Sequence, residues 1–262
     1  MIEYFKNVFK NRKILFSMVK NDFTNRFANT SLGAIWGFVS PVVIIFLYVF
    51  VFEYILKLKS SGEYPYLVWF LPGMAIWTFL NEAILTTTNS IRDYSFLVKK
   101  VVFPVDIIPL IKVFSTFIVG AVLLLIVTGI CIFNGYMPNI LLFAYYIFAS
   151  LFFVVGITRL LSAFATMLGD FAQIVPVIMQ LMFWATPTIW NVADTEKIIQ
   201  NVVKCNPFAY LVCGMRDVFI GGNILAENNY LYTIIFWTIS IVIFIYGNKV
   251  FNKNKDEFSD ML

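Results

Sequence analysis

The chain has 262 residues, of which 60% are hydrophobic and only 13% charged, where a soluble domain carries about 25% charged side chains. Apolar surface on that scale needs lipid as its solvent, and long unbroken apolar runs point to helices rather than to the short alternating strands of a barrel. A net charge of +4 does not indicate nucleic-acid binding here, because the basic residues sit at the ends of apolar runs, where membrane topology accounts for them.

The first 24 residues carry Ile2, Phe5, Val8, Phe9, Ile14, Leu15, Met18 and Val19 among Lys6, Lys10, Lys13 and Lys20. Apolar positions recurring every three or four residues predict an amphipathic helix lying on the inner membrane surface; the alternative is a solvated basic tail. No cleavable signal peptide is expected, since the first long charge-free run begins only near Phe27.

A spanning helix needs roughly 20 apolar residues. Residues 27–52 and 64–81 are charge-free and predict spans over about 31–56 and 67–89. The 46 charge-free residues 113–158 are too many for one helix, and Asn134-Gly135-Tyr136-Met137-Pro138-Asn139 is a turn signal in their midst. Spans at about 107–133 and 140–168 follow, then 171–191 and 229–250. The expected fold is therefore all-α and integral to the membrane, one domain with six transmembrane helices.

Two segments between spans stand out. In residues 90–104, Arg92, Asp93, Lys99 and Lys100 flank Phe96-Leu97-Val98, which predicts a short helix with one apolar face. In residues 192–222, Ile198, Ile199, Val202 and Val203 mark one short helix, Pro207 breaks it, and a second runs to Gly221-Gly222. Each half is too short to cross alone. The pair either dips into the membrane and returns, which requires burial in protein or a watery cavity, or lies on the outer surface. With the N-terminus inside, fourteen of the nineteen basic residues fall in inner segments, so both termini are expected in the cytoplasm.

Several side chains suit work inside the membrane. Sugar rings stack on aromatic faces, and tyrosine and tryptophan also donate hydrogen bonds. Trp36, Tyr48, Trp77, Phe79, Phe183, Trp184 and Trp190 are the candidate pathway rings on spans one, two and five; the plainer reading places such rings at interfaces and against lipid. Glu82, a carboxylate within span two, either lines the pathway or pairs with a neighbour such as Arg159 or a hydroxyl. Pro176 and Pro187 are expected to kink span five. Cys131, Cys205 and Cys213 form no CxxC pair or metal cluster. Cys205 and Cys213 are expected as unpaired thiols, a disulfide being the alternative if their segment faces outward.

Four stretches carry a resemblance. They are Ser31-Leu32-Gly33-Ala34-Ile35-Trp36 through Pro41; Phe70-Leu71-Pro72-Gly73 with Trp77-Thr78-Phe79, Asn89-Ser90 and Leu97-Val98-Lys99-Lys100 to Phe103-Pro104; Gly169-Asp170 with Val175-Pro176 and Thr186-Pro187; and Asn206-Pro207-Phe208 with Gly214-Met215-Arg216. In this order the chain resembles the permease subunit of type 2 ABC exporters that move lipid-linked polysaccharides such as O-antigen, capsule or teichoic acid. It departs at Gly169-Asp170, where relatives often show more charges.

The resemblance implies a homodimer of half-transporters in the bacterial cytoplasmic membrane, bound to two copies of a separate ATPase that holds the ATP and magnesium. It makes 90–104 the coupling helix, with Arg92, Phe96, Leu97, Lys99 and Lys100 meeting the ATPase, and 192–222 an outer gate with Pro207, Phe208 and Arg216. No cofactor is expected in this chain itself: a phosphate-cradling loop ends in Gly-Lys-Ser/Thr, and none of the thirteen glycines is followed by lysine. Three other readings stand beside this one: a type 2 ABC permease for a drug or lipid, a membrane enzyme of glycan assembly, and an ion-driven carrier. Against the last two, no paired acidic motif and no internal repeat is evident.

Overall fold

Apolar runs of this length satisfy their own backbone hydrogen bonds as helices, and helices are what the chain forms. The computed structural model describes residues 2–26, 33–55, 57, 64–99, 103–221 and 229–262, and among these there is no strand. Lys100, with 101 and 102 of the predicted coupling segment, residues 31, 32 and 56 of the first predicted span, and Gly222 lie outside the described residues.

The N-terminal stretch is two helices, α1 (Ile2–Lys10) and α2 (Arg12–Arg26), rather than one. Asn11 joins them and keeps the helical ladder, its N–H donating to Asn7 O at 3.1 Å. Tyr4, Leu15 and Val19 pack against protein. Phe9, Ile14 and Phe16 face outward beside Lys10, Arg12 and Lys13, a composition suited to a membrane surface.

Helix α3 (Trp36–Val49) is preceded by a tight turn at Gly33–Ile35 and runs on into a wide one at Phe50–Ile55. Helix α4 (Tyr66–Thr88) is the central pillar. Every residue from Val68 to Trp77 is buried, as expected of a helix apolar on all faces inside a bundle. The predicted coupling segment is two short helices, α5 (Ser90–Asp93) and α6 (Ser95–Val98), broken at Tyr94. Helix α7 (Ile108–Phe133) starts with Pro109 in its first turn, where a missing N–H costs nothing. The turn that follows uses Gly135 at φ +89°. Asn139 then caps α8 (Ile140–Met167), its side chain accepting from Leu141 and Leu142 N–H at 3.2 Å.

Helix α9 (Phe171–Ala185) tolerates Pro176 in its interior. It stops well before the predicted boundary at 191. Pro187 disfavours helical geometry in the residue before it, and Thr186 is extended, at φ −103° and ψ 137°. Two short helices follow, α10 (Lys197–Lys204) and α11 (Pro207–Ile220), then α12 (Asn229–Asn254) and a terminal turn, α13 (Phe258–Met261).

Among the described residues, four helices are long and apolar enough to cross a membrane: Tyr66–Thr88, Val105–Phe133, Ile140–Met167 and Leu231–Asn254. Trp36–Phe52 and Phe171–Ala185 are apolar but shorter. Around α4 pack α7, α8 and α11, and α8 pairs along its length with α12. That pair crosses at glycines: a Cβ on Gly247 would lie 2.8 Å from Gly156 O, and one on Gly156 3.1 Å from Phe244 Cα. Within lipid, where helices gain nothing from hiding apolar surface, this close approach is what supplies the packing. Helix α11 is enclosed, with residues 208–216 all buried. Gly214 makes that possible, since any Cβ there would overlap the Tyr146 ring. The outer segment therefore does not lie on the surface as a whole: α11 is inside the bundle, while α10 exposes Ile198, Ile199 and Val202. Cys131 and Cys213 are buried, Cys205 is exposed, and all three are free.

Candidate functional site

A cavity of about 670 Å³ opens between the end of α2 and helices α3, α4, α7 and α9. Seven of the eight predicted pathway residues line it: Trp36, Tyr48, Trp77, Phe79, Glu82, Phe183 and Trp184. They converge because α4 contributes Trp77, Phe79 and Glu82 from one stretch, while α3 and α9 lie against α4 on either side. The exception is Trp190. It lies beyond the end of α9, where its indole N–H donates to Trp184 O at 3.1 Å.

The rings form a connected wall. Tyr48 lies 6.3 Å from Phe183, Phe183 is 5.6 Å from Trp77, and Trp77 is 5.8 Å from Phe208. Phe208 in turn packs edge-on against Phe153 at 5.2 Å. Between the rings sit Ser40, Thr78, Asn81, Thr116 and Gln180. Phe79 is almost wholly covered, by Phe117 and by the close approach of Gly120, so it shapes the wall from behind rather than presenting its face.

Arg26 and Glu82 are the charged residues of this lining, and they pair with each other. Glu82 is thus partnered by the end of α2, not by Arg159. Just below, Thr86 and Thr116 hydroxyls stand 3.3 Å apart.

Arg159 is fully buried at the same end of the bundle. It donates to Asp106 O at 3.0 Å, to Asp106 Oδ1 at 3.2 Å and to Asn252 Oδ1 at 3.2 Å. Its guanidinium is stacked between the Tyr4 ring at 4.3 Å and the Phe251 ring at 4.1 Å. Asp106 also accepts from Asn7 at 2.9 Å and faces Lys255 at 3.7 Å. The cluster knots α1, α8, α12 and the turn before α7 into one block. Burial pushes the Tyr4 hydroxyl up to about 12, against the opposing effect of Arg159.

In the coupling segment Phe96 is 58% exposed, Leu97 half-buried and Lys99 exposed. Arg92 reaches Gly169 O at 3.4 Å, which brings the Gly169-Asp170 turn alongside. The side chain at the break is held from two other helices. The Tyr94 hydroxyl donates to Asp22 Oδ1 at 2.6 Å, and Lys112 Nζ sits 2.9 Å from the same oxygen and 3.2 Å from Asp93 Oδ2. Burial first, then the bond to Asp22, hold the Tyr94 hydroxyl far above its ordinary value, so it stays a donor throughout the physiological range.

At the opposite end, Pro207 opens α11, and Asn206 caps it by accepting from Phe208 N–H at 2.9 Å. The Asn206 amide also donates to Thr186 Oγ1 at 3.1 Å, tying α11 to the end of α9. Arg216 is buried. It donates to Pro187 O at 2.6 Å and to Thr188 O, and lies 3.8 Å over the Trp69 ring. A Cβ on Gly73 would sit 2.6 Å from its Nε, so a glycine is required beside it. Arg216 thus satisfies the carbonyls that the end of α9 leaves open, the condition for irregular backbone buried within a bundle.

Sequence reasoning missed Asp22, Tyr94, Lys112, Asp106 and Asn252. Each is one polar residue whose partner lies far along the chain, and no local spacing announces such a pair. The capping role of Asn206 was missed too, although a cap residue followed by proline is a local signal that could have found it.

Among the described residues there is no group of three or more His, Cys, Asp or Glu that could hold a metal ion. The chain is 24% identical to the O-antigen export system permease protein RfbA of Klebsiella pneumoniae, with 95% of both chains covered. It is 22% identical to the protein of that name from Myxococcus xanthus, over the full length of both. With its long apolar helices, the chain is a multi-pass membrane protein. Residues 14–220 match the ABC-2 type transporter family, a stretch that takes in most of α2, the whole cavity wall, α5, α6 and α11. On that match the chain belongs to the ABC-2 type transporter family.

Proposed function

We propose that this chain is the membrane permease of an ATP-driven exporter that carries a lipid-linked polysaccharide, of the O-antigen, capsule or teichoic acid type, out across the bacterial cytoplasmic membrane. The observation that carries this is the cavity, in a chain of a transport family whose relatives are named for O-antigen export. Trp36, Tyr48, Phe183 and Trp184 offer flat faces to the C–H sides of sugar rings, with the buried Trp77 backing Phe183, and Ser40, Thr78, Asn81 and Gln180 offer donors and acceptors to their hydroxyls. A drug or lipid permease needs no such alternation of rings with amides.

On this reading six segments cross the membrane. The helical run 33–55 reaches spanning length when its end turns are counted. Helix α9 covers only about 22 Å at 1.5 Å per residue, and the buried backbone of Thr186, Pro187 and Thr188, held by Arg216, continues the crossing. Helices α10 and α11 form a re-entrant pair at the outer side, with Pro207, Phe208 and Arg216 in the gate. Both termini face the cytoplasm, α1 and α2 lie on the inner surface, and the exposed Phe96 enters a cleft of the ATPase. Two permeases pair, two ATPase copies bind them, and ATP and magnesium are held there rather than in this chain.

Deleting the chain from its host should remove the surface glycan and leave lipid-linked glycan on the inner leaflet, with both effects reversed by a plasmid copy. Immunoblotting of whole cells against lysed spheroplasts reads this out. Normal surface glycan in the deletion strain, with loss of resistance to an exported drug instead, would contradict the substrate class.

A further inference from the structure

Two contacts of α2 lie on one face, one turn apart. Asp22 meets the coupling segment through Tyr94, and Arg26 meets the cavity wall through Glu82. Residues four apart on a helix stack along the same side, so both contacts belong to one rigid stretch. Helix α7 repeats the arrangement. Lys112 holds Asp22 and Asp93 and stands 5.3 Å from the Tyr94 ring centroid, and one turn on Thr116 lines the cavity, its hydroxyl donating to Lys112 O at 2.8 Å.

The two ends differ in strength. Asp22 is nearly covered and Lys112 only 18% exposed, so the bonds that Asp22 accepts from Tyr94 and Lys112 are short and little screened. Arg26 and Glu82 are 31% and 39% exposed on an open cavity, the setting in which ion pairs are weak and exchange readily with water. Helices α5 and α6 are four residues each, too short to keep a shape of their own. Tyr94 therefore sets where the segment sits. A load on it passes through the strong contacts and is taken up at the weak one.

We propose that Asp22, Tyr94 and Lys112 are positioning residues that clamp the coupling segment to α2 and α7, so that α2 acts as a lever which opens or closes the Arg26–Glu82 pair in the cavity. The lever rests on the ATP-driven reading above, since it needs a partner to push on Phe96. It assigns Glu82 a role as the moving contact of the pathway rather than as a fixed packing pair.

The test uses the full chain bound to its ATPase, with Cys205→Ser, Arg26→Cys and Glu82→Cys, and a short bifunctional thiol reagent. Adding ATP with magnesium should change the cross-linking yield about two-fold or more, the scale of a coupling of a few tenths of a kcal/mol upward. Tyr94→Phe, or Asp22→Asn as a milder second variant, should keep the ATPase bound yet lose that change. Two results overturn the lever while leaving the transport reading intact: a nucleotide response kept in both variants, or release of the ATPase by both, which would make Tyr94 part of the docking surface. A parent complex that binds the ATPase but shows no nucleotide response also overturns the lever, whereas a chain that binds no ATPase at all defeats the ATP-driven reading beneath it.

Discussion

Asp106→Ala destabilises the detergent-solubilised chain more than Arg159→Met does, and the order follows from burial. Arg159 is fully buried, and its charge is balanced by Asp106. Removing the carboxylate leaves a guanidinium with only two carbonyl acceptors between two rings. Breaking a buried pair from one side costs about 3–5 kcal/mol, and the surviving bond to Asp106 O sets the loss at the lower end of that range. Arg159→Met instead removes the buried charge and keeps most of the volume. Asp106 remains 13% exposed beside Lys255 and still accepts from Asn7, so nothing charged is stranded. Thermal unfolding midpoints of the two variants give the order directly. If Arg159→Met falls further than Asp106→Ala, the cluster is held by ring stacking rather than by charge.

The second large effect concerns the exposed tip of the coupling segment. Phe96→Asp together with Leu97→Asp should abolish association with the ATPase while leaving the permease folded. Phe96 is more than half exposed, its ring meeting Tyr94 at 6.1 Å, and Leu97 packs only partly against the inner core, so the bundle keeps its fold without them. Burying a phenylalanine or leucine side chain in a partner contributes about 1.5–3 kcal/mol. Losing both should weaken binding at least a hundred-fold, at about 1.4 kcal/mol for each factor of ten, before any penalty for a buried carboxylate. Co-purification and a titration of labelled ATPase measure it. An unchanged affinity would move the docking surface away from this segment, whereas equal loss with Arg92→Ala and Lys99→Ala would show the rim to matter as much as the tip.

The sequence was legible where structure is local. Charge-free runs gave α4, α7 and α8 within a residue or two, while α12 runs to Asn254, four residues past the expected end. Pro207 gave the start of α11 and Gly221 its end, with Gly221 at φ +63°. The early stop of α9 was a misjudged local effect: Pro187 acts on Thr186 before it, ending the helix rather than kinking it. What holds Tyr94 could not be read, because its partner Asp22 lies on another helix. The same holds for Glu82, whose partner proved to be Arg26 rather than Arg159. The pathway rings converged on one cavity because three apolar helices carry them, but Trp190 fell outside once α9 had ended. Position along the chain told which residues share a helix; which helices share a wall is a matter of tertiary packing.

On the proposed function, ATP hydrolysis by a partner drives a lipid-linked glycan through this chain. Proteoliposomes holding the permease and its ATPase, loaded with the lipid-linked glycan on the ATPase side, test it most directly. With ATP and magnesium, the glycan should become accessible to a glycosidase in the opposite compartment, and omission of ATP or the Phe96→Asp, Leu97→Asp variant should stop it. Glycan transfer that proceeds equally without ATP, or that survives loss of the ATPase, would contradict the account.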